Sequence, residues 1–147
     1  MRGPYRKRMV LRPPQFTNYK PSGVPRKFLE TVELLLDEFE AIRLADYKQL
    51  DHAEAAENMN ISRPTFSRLI EKARNKIATA IIENKELSIV GGNIDFVNTL
   101  YHCQDCGEVI QQPFGETMDD CPDCGSQNIE DLTRPFLSGR HGKRGRE

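Results

Sequence analysis

Two short helical patterns separated by three residues, between positions 51 and 74, constrain the fold of this chain more than any other stretch. The first pattern has apolar residues at three-residue intervals, which are Ala53, Ala56 and Met59. This spacing predicts one apolar stripe on a helix. Asp51 is placed to cap that helix, and Glu54 three residues later completes a capping box. The first helix is therefore expected to start near Asp51.

The second pattern predicts a longer helix. The hydroxyl of Ser62 can accept a hydrogen bond from the free amide of Thr65, which is a helix-capping arrangement. Apolar residues then recur at helical spacing, at Phe66, Leu69, Ile70, Ala73, Ile77, Ala80 and Ile81. This helix is expected to run to about Glu83.

The junction between the two patterns favours a helix-turn-helix. Asn60 tolerates the left-handed backbone that such a sharp turn usually needs. Ala56 is small enough for two helices to cross closely, and Ile61, Phe66 and Leu69 can fill the angle between them. The alternative is an amphipathic helical hairpin whose charges are merely solvated.

A helix-turn-helix places the second helix in the major groove of DNA, with its N-terminal residues on base edges. Pro64 and Glu71 point away from the core, together with the residues that we predict to bind DNA, namely Ser62, Arg63, Thr65, Ser67, Arg68 and Lys72. Arginine bidentate to guanine is the commonest specific contact, so Arg63 and Arg68 are the candidate base readers. The distal half of this long helix is a candidate packing surface for the arm or for a second subunit, and a homodimer would suit a two-fold symmetric operator.

The net charge of −1 conceals a strong segregation of charge along the chain. Residues 1–27 hold eight Lys and Arg and no acid, 28–58 nine acids and two basic residues, 59–85 six basic residues and two acids, 86–133 ten acids and no basic residue, and 134–147 five basic residues and one acid. Basic blocks are where phosphate contacts are expected.

The N-terminal segment is predicted to be an irregular basic arm, because residues 1–27 contain five prolines and no sustained periodicity. Aromatic and apolar residues could anchor the arm to the body, and these are Tyr5, Phe16, Tyr19 and Val24. The alternatives are a solvated tail, or an arm whose Arg6, Lys7 and Arg8 reach a minor groove.

The segments that flank the two helical patterns are predicted from their own periodicity. Residues 28–36 fit an extended piece, and 37–48 fit an amphipathic helix that packs behind the helix-turn-helix. The acids of that helix, Glu38, Glu40 and Asp46, are expected to be solvated. After the long helix, the alternation from Leu87 to Phe96 around Gly91 and Gly92 predicts a short β-hairpin.

These residues resemble a known family. The stretches YKPSGVP, EAIRLAD and AAENMNISRPTFSRL are similar to those of an uncharacterised family of small prokaryotic predicted DNA-binding proteins, and the resemblance covers residues 13–92. The helix-turn-helix of that family resembles region four of bacterial sigma factors. The resemblance implies DNA binding, with Arg63, Thr65, Ser67 and Arg68 facing the DNA. The chain departs from the family at Asn60, where a glycine is usual, and at Leu35, where the family has a hydroxyl cap.

Two Cys-x-x-Cys-Gly sequences form the most specific chemical signal of the chain. Cys103 and Cys106 are separated by fourteen residues from Cys121 and Cys124. In each pair two thiolates can bind one metal while the following glycine lets the backbone fold so that amides point at sulfur. Two such knuckles give the tetrahedral sulfur set that zinc prefers. We therefore predict a zinc ribbon, which with so few apolar residues could not hold its fold without metal.

The occupant of this site has alternatives. A CPDCG knuckle also resembles rubredoxin, and four thiolates could hold iron or an iron-sulfur cluster. Disulfides are the third reading. His102 adjoins Cys103, but four cysteines complete the coordination sphere, so it is expected to be a bystander. The ten acids of 86–133 repel phosphate, so this module is expected to contact a protein partner.

The expected fold class is mainly α, with a three-helix helix-turn-helix domain, an irregular N-terminal arm, a short β-hairpin and a small zinc-ribbon-like β module. The expected divisions are an arm at 1–27, the helix-turn-helix domain at 28–85, a connector at 86–98, the four-cysteine metal-binding ribbon at 99–133 and a basic flexible tail at 134–147. With no apolar run of eighteen residues and no signal-peptide pattern, a cytoplasmic protein is expected.

The function expected from these features is that of a sequence-specific, DNA-binding transcriptional regulator that carries structural zinc. One rival is an iron-binding redox or electron-transfer component with a helical docking domain. The other is an RNA-binding or transcription-machinery accessory protein. No hydrolytic triad, phosphate-cradling glycine loop or pair of catalytic carboxylates stands out in the sequence, so enzymatic activity is not expected.

Overall fold

The computed structural model of this chain describes residues 7–137, which form two compact units. The first unit holds the residues up to Val10 together with Phe16–Asp95, and the second holds Leu11–Gln15 together with the residues from Phe96 onward. In chain order the elements are β1 (Arg8–Val10), β2 (Asn18–Tyr19), a 3-10 turn (Arg26–Phe28), β3 (Thr31–Leu35), α1 (Leu36–Ile42), a π-helical turn (Arg43–Tyr47), α2 (His52–Met59), α3 (Arg63–Ile82), β4 (Glu86–Val90), β5 (Ile94–Phe96), β6 (Asn98–Cys103), β7 (Val109–Pro113), β8 (Ile129–Asp131) and α4 (Arg134–Leu137).

The expectation of a mainly α fold is wrong. About 36% of the described residues are helical and 24% lie in strands, and these strands form three sheets. The protein is therefore mixed α/β. The helical patterns of the sequence predicted the three helices that the structure shows as α1, α2 and α3, but the strands of the N-terminal segment carry too few residues to show a periodicity of their own.

The first unit contains a three-stranded sheet with the order β2-β4-β3. β3 pairs in parallel with β4, in a register that runs from Thr31 opposite Glu86 to Leu35 opposite Val90. β2 pairs antiparallel with the other edge of β4. The extended piece expected within 28–36 is confirmed as β3, and the parallel pairing makes the intervening helices a crossover connection.

The expected hairpin after the long helix is wrong. β4 lies in the centre of the β2-β4-β3 sheet, whereas β5 pairs with β1 in a separate two-stranded sheet. The glycines therefore link two different sheets, with Gly92 at a φ of 145°. Each of the two strands forms its backbone hydrogen bonds with strands that are distant in sequence and not with the other. The alternation of apolar residues predicts a strand but does not show with which strand it pairs.

The N-terminal segment is more ordered than the expected irregular arm, because it supplies β1 and β2. Its aromatic residues are not buried anchors, since Phe16 and Tyr19 are 64% and 54% exposed. Val10 is fully buried instead. Tyr5 and Arg6 lie outside the described residues, as does the expected basic tail from position 138 onward.

Three helical segments surround one apolar core in the first unit, namely α1 with the π-helical turn that continues it, α2 and α3. The buried members come from α1, the π-helical turn, α2 and α3, and they are Ala41, Leu44, Ala55, Ala56, Met59, Phe66, Leu69 and Ile70. Ile42, Ala45, Leu50 and Ile61 pack against this cluster. The helix expected within 37–48 is thus present, and its last five residues take a π-helical form.

Two of the acids expected to be solvated are buried. Glu38 and Glu40 in α1 are 1% and 3% exposed. Glu38 accepts hydrogen bonds from Lys76 Nζ at 2.8 Å and from the Leu35 amide at 2.9 Å, so the third residue of α1 satisfies its N-cap backbone. Glu40 pairs with Arg43 at 2.8 Å. Buried carboxylates need such partners because an unpaired buried charge is costly, whereas Asp46 is exposed as expected.

The N-caps at Asp51 and Ser62 and the turn at Asn60 form as the sequence indicates, although the cap at Asp51 uses only its own side chain and not that of Glu54. The Asp51 side chain accepts from the Glu54 amide at 2.8 Å, and the Ser62 side chain accepts from the Thr65 amide at 3.3 Å. Asn60 adopts the left-handed conformation, with φ 62° and ψ 42°. The buried face of α2 differs in part from the predicted one. Ala53 is predicted to be buried but is exposed, and Ala55 is buried in its place.

None of the helices within residues 7–137 combines the length and the apolar character that a membrane-spanning helix requires.

Candidate nucleic-acid interface and metal centre

The side of α3 that faces away from the core carries free cations near its N-terminus. Arg63, Arg68 and Lys72 are exposed. Within residues 7–137 no hydrogen bond or ion pair of their side chains is formed. Guanidinium and ammonium groups without protein partners remain available to an anionic ligand.

The cations farther along α3 differ from this group. Arg74 pairs with Asp46 at 2.7 Å, and Lys76 pairs with the buried Glu38 at 2.8 Å. Both pairs attach α3 to the first helical segment. The sequence did not separate these two cations from the free ones, because their acidic partners lie 28 and 38 positions away along the chain.

The hydroxyl residues at the start of α3 have partners within the protein. Ser62 Oγ donates to Thr65 Oγ1 at 2.8 Å, so both hydroxyls serve the helix cap. Ser67 Oγ lies 2.8 Å from Nδ1 of His52, whose ring also stacks edge-on against Phe66 with centroids 5.3 Å apart. The contact between His52 and Ser67 holds the first residue of α2 against α3.

Two of the three basic residues that could reach a minor groove lie beside acids of the first unit. Arg8 Nη1 donates to Asp37 Oδ2 at 2.7 Å, and Lys7 lies 3.8 Å from an oxygen of Asp95. Arg6, the third member of the expected basic set, lies outside the described residues. Arg8 is therefore a structural cation that compensates a buried carboxylate.

The four cysteines converge in the second unit, where β7, β6 and β8 form a three-stranded sheet. Cys103 ends β6 and is fully buried, and Cys121 is 2% exposed. All four Sγ atoms lie within 4.8 Å of one another. Sγ of Cys103 is 3.6 Å from that of Cys124, and Sγ of Cys106 is 3.7 Å from that of Cys121.

These separations fit a single tetrahedral metal ion. Zinc–sulfur bonds of about 2.3 Å at tetrahedral angles place neighbouring sulfurs about 3.8 Å apart. Two separations between the knuckles, 3.6 Å and 3.7 Å, are close to that value. Four thiols and no other ligand type make up this group in the described part of the chain, so His102 is not among the candidate ligands.

Each knuckle folds its backbone around one sulfur. The Cys106 amide points at Cys103 Sγ at 3.4 Å, and the Asp123 amide points at Cys121 Sγ at the same distance. Gly107 and Gly125, with φ of 83° and 78°, then donate their amides to the carbonyls of Cys103 and Cys121. A side chain would be strained at such positive φ, which explains the glycine after each pair.

The environment of the thiols separates their proton affinities. The backbone amide of Cys106 is the main cause that lowers the pKa of Cys103 to about 7. The backbone amide of Glu108 lowers the pKa of Cys106. Desolvation by burial and the neighbouring thiols outweigh that amide and raise this pKa to about 12. Four crowded sulfurs cannot all carry charge without a cation between them, so this group of thiols could hold a metal ion.

The surface around the metal site is acidic, as the sequence indicates. The exposed acids of residues 105–130 include Asp105, Glu108, Glu116, Asp119, Asp120, Asp123 and Glu130. A surface of this sign repels phosphate. Contact between this acidic surface and a protein partner remains a prediction.

Comparison with known proteins identifies the family of the chain. The family model described as "Protein of unknown function DUF134" matches residues 1–97. This chain belongs to the DUF134 family. A UPF0251 protein of Chloroherpeton thalassium is 55% identical to this DUF134 protein over 143 residues, which cover 97% of this chain and 95% of the relative. The expected resemblance to an uncharacterised family of prokaryotic proteins is confirmed.

Other relatives of this DUF134 protein come from different organisms. A UPF0251 protein of Methanocella arvoryzae is 39% identical over 145 residues, covering 95% of this chain and 86% of the relative. One of Desulforudis audaxviator is 38% identical over 128 residues, covering 86% and 82%. The family model ends at residue 97, before the first cysteine, whereas the two longer matches extend through the cysteine module of this DUF134 protein.

Proposed function

We propose that this DUF134 protein is a sequence-specific, DNA-binding transcriptional regulator and not an enzyme, with α3 as its recognition helix. The observation that carries the proposal is the division of the cations of α3 into two groups. Arg63, Arg68 and Lys72 on the N-terminal half have no protein partner among residues 7–137, whereas Arg74 and Lys76 on the distal half are paired. Free cations are thus concentrated where a recognition helix meets base edges.

The packing behind α3 supports this proposal. α2 is joined to α3 by the left-handed Asn60, and both helices share an apolar core with α1. The N-terminus of α3 is closed by Ser62, and helix N-termini favour negatively charged groups such as phosphate. An arginine that reads guanine needs a rigid support of this kind, because bidentate hydrogen bonding fixes both distance and angle.

Selection from random double-stranded DNA tests the proposal. The purified full-length protein should enrich a common motif after several rounds of selection and sequencing. A variant with both Arg63→Ala and Arg68→Ala is the control and should enrich none. Equal recovery of all sequences by the unsubstituted protein would contradict a sequence-specific regulator and favour the accessory role.

We also propose that the four thiols hold one structural zinc ion. The fit of the sulfur separations to tetrahedral geometry supports a single ion, and the small apolar content of this module supports a structural role. When bound, zinc would supply a redox-inert positive charge that compensates the four thiolates.

Metal content and colour separate zinc from the redox alternative. A colourless protein with one zinc per chain is expected from elemental analysis and visible absorption of protein purified without added metal. Visible absorption bands of a ferric tetrathiolate or an iron-sulfur cluster would overturn the zinc proposal in favour of an electron-transfer component.

A further inference from the structure

A hydrogen bond joins the two knuckles directly outside the four sulfurs. Asp105 is the third residue of the first knuckle, Cys-Gln-Asp-Cys, and Ser126 follows the glycine of the second. Ser126 Oγ donates to Asp105 Oδ2. These two residues are 21 positions apart and belong to different halves of the site.

Ser126 is fixed on three sides. Its carbonyl accepts from the amide of Cys121 at 2.8 Å, and its hydroxyl oxygen accepts from the amide of Asn128 at 2.9 Å. A serine hydroxyl has one proton to donate, and a carboxylate can only accept. The direction of the bond to Asp105 is therefore determined, and the hydroxyl has no remaining freedom to rotate.

We propose that the Asp105 carboxylate and the Ser126 hydroxyl form a clasp that positions the two knuckles against each other and slows the loss of the bound metal. The carbonyl of Ser126 accepts the amide of Cys121, and Asp105 directly precedes Cys106. The clasp therefore sets the distance between the sulfur of Cys106 in the first knuckle and the sulfur of Cys121 in the second. The inference rests on the proposal that the four thiols bind a metal, and it is independent of DNA binding.

The two knuckles differ in a way that isolates the clasp. Asp123 occupies in the second knuckle the position that Asp105 occupies in the first. The Asp123 side chain makes no hydrogen bond or ion pair with the described residues, and only its amide is used, towards Cys121 Sγ. Glu108 occupies in the first knuckle the position of Ser126 in the second, since its carbonyl accepts the amide of Cys103. A second clasp, to Asp123, would need a serine at this position.

Asp105 can act through its charge or through its position, and two variants separate these effects. Removal of a carboxylate changes the electrostatic potential at the thiolates from either knuckle, whereas only loss of the clasp removes the contact between the knuckles and so weakens zinc binding for a positional reason. Asp123→Ala removes the same charge from the equivalent position and therefore measures the charge effect by itself, whereas Ser126→Ala removes the clasp without changing the charge.

The test is the rate of zinc release from the full-length, zinc-loaded protein to excess EDTA. Asp105→Ala and Ser126→Ala should each release zinc about tenfold faster, at the low end of the loss of affinity, about 10- to 100-fold, that follows removal of residues which orient metal ligands. Asp123→Ala, which measures the charge effect, should release zinc more slowly than either of these variants. Ser126→Thr, which keeps the hydroxyl, should restore the slow rate, and the double variant Asp105→Ala with Ser126→Ala should be no faster than either single variant.

Three outcomes overturn the clasp. Equal release rates for Asp105→Ala and Asp123→Ala would show that Asp105 has no positioning role, while zinc binding by the unsubstituted protein would still stand. If the unsubstituted protein held no metal at all, the metal proposal and the clasp would fail together. Should Asp105→Ala lose its zinc during purification, the comparison of Ser126→Ala with Ser126→Thr decides, since equal rates for these two would refute the clasp.

Discussion

The Nζ atom of Lys76 in α3 lies 2.8 Å from the Oε1 atom of Glu38 in α1, a side chain that is 1% exposed. The same oxygen accepts the amide of Leu35 at 2.9 Å. One carboxylate oxygen therefore caps the N-terminus of α1 and also bonds α1 to α3. This pairing fixes the orientation of the proposed recognition helix from its distal half.

Lys76→Met should destabilise the protein by about 2 to 3 kcal/mol, because it leaves the buried Glu38 carboxylate without its cation. Lys72→Met is the matched control on the same helix, and its exposed, unpaired side chain should change stability by less than about 0.5 kcal/mol. Urea denaturation followed by circular dichroism measures both. Equal losses in the two variants would contradict the stabilising role of the Lys76–Glu38 pair.

Arg68→Ala should cost about 1 to 3 kcal/mol of binding to the selected DNA motif and relax the preference at one base position. Arg63→Ala should act in the same way at another position. Arg74→Ala removes the same group from the same helix, but from a pair with Asp46, and should leave the base preference unchanged. Fluorescence anisotropy with single-base variants of the motif provides the measurement, and a loss that is equal on all sequences would assign the arginine to phosphate.

Asn60→Ala should destabilise the first unit by about 1 kcal/mol, because its φ of 62° is unfavourable for alanine. Asn60→Gly should cause no loss, since glycine adopts this backbone freely. The control is Asn75→Ala within α3, where the backbone is right-handed and alanine is the better helix former. Thermal unfolding of the three variants is the measurement, and an Asn60→Ala variant as stable as Asn75→Ala would argue against the left-handed turn.

Cys121→Ser should abolish stoichiometric metal binding and unfold the β7-β6-β8 sheet, because only a few apolar side chains are buried in this module. The helices of the first unit should remain folded. Elemental analysis reports the metal, and amide hydrogen exchange reports the two units separately. Full metal occupancy in this variant would refute a site made of four thiolates.

The pair of Asp46 with Arg74 should make a small pH-dependent contribution to stability. The hydrogen bond from the Arg74 guanidinium holds the pKa of Asp46 below its ordinary value, with slight burial in opposition. The contribution is therefore present above the pKa of the unfolded carboxyl, about 3.9, and is lost as the pH falls through the lower pKa of the folded state. Asp46→Asn should lower stability at pH 7 by less than about 1 kcal/mol, since the pair is exposed, and the difference should shrink as the pH drops below about 4. A difference that grows on acidification would contradict this sign.

The local features of the first unit could be predicted from sequence because their partners are close along the chain. The caps at Asp51 and Ser62 involve amides three residues away, and the turn at Asn60 depends on the residue itself. The four-cysteine site could be predicted for a related reason. The chemistry of thiolates and the glycine after each pair leave few other arrangements.

The sheets and the buried charges could not be predicted in this way. Leu34 pairs with Ile89, more than fifty positions away, and the five residues of β3 carry no information on that choice. Glu38 has the local sequence of a solvated residue on a helix, and its burial depends on Lys76, which belongs to another element. The short strands β1 and β2 owe their existence to β5 and β4 and not to their own composition.

The parallel pairing of β3 with β4 makes the length of α3 a fixed quantity. The chain leaves β3 at one end of the sheet and must enter β4 at the other, and the 20 residues of α3, about 30 Å long, make the return. A single residue inserted in the middle of α3 would rotate its N-terminal half by about 100° relative to the following strand. Substitutions at the start of α3 leave this crossover intact, whereas an insertion behind them would change the direction in which Arg63 and Arg68 face.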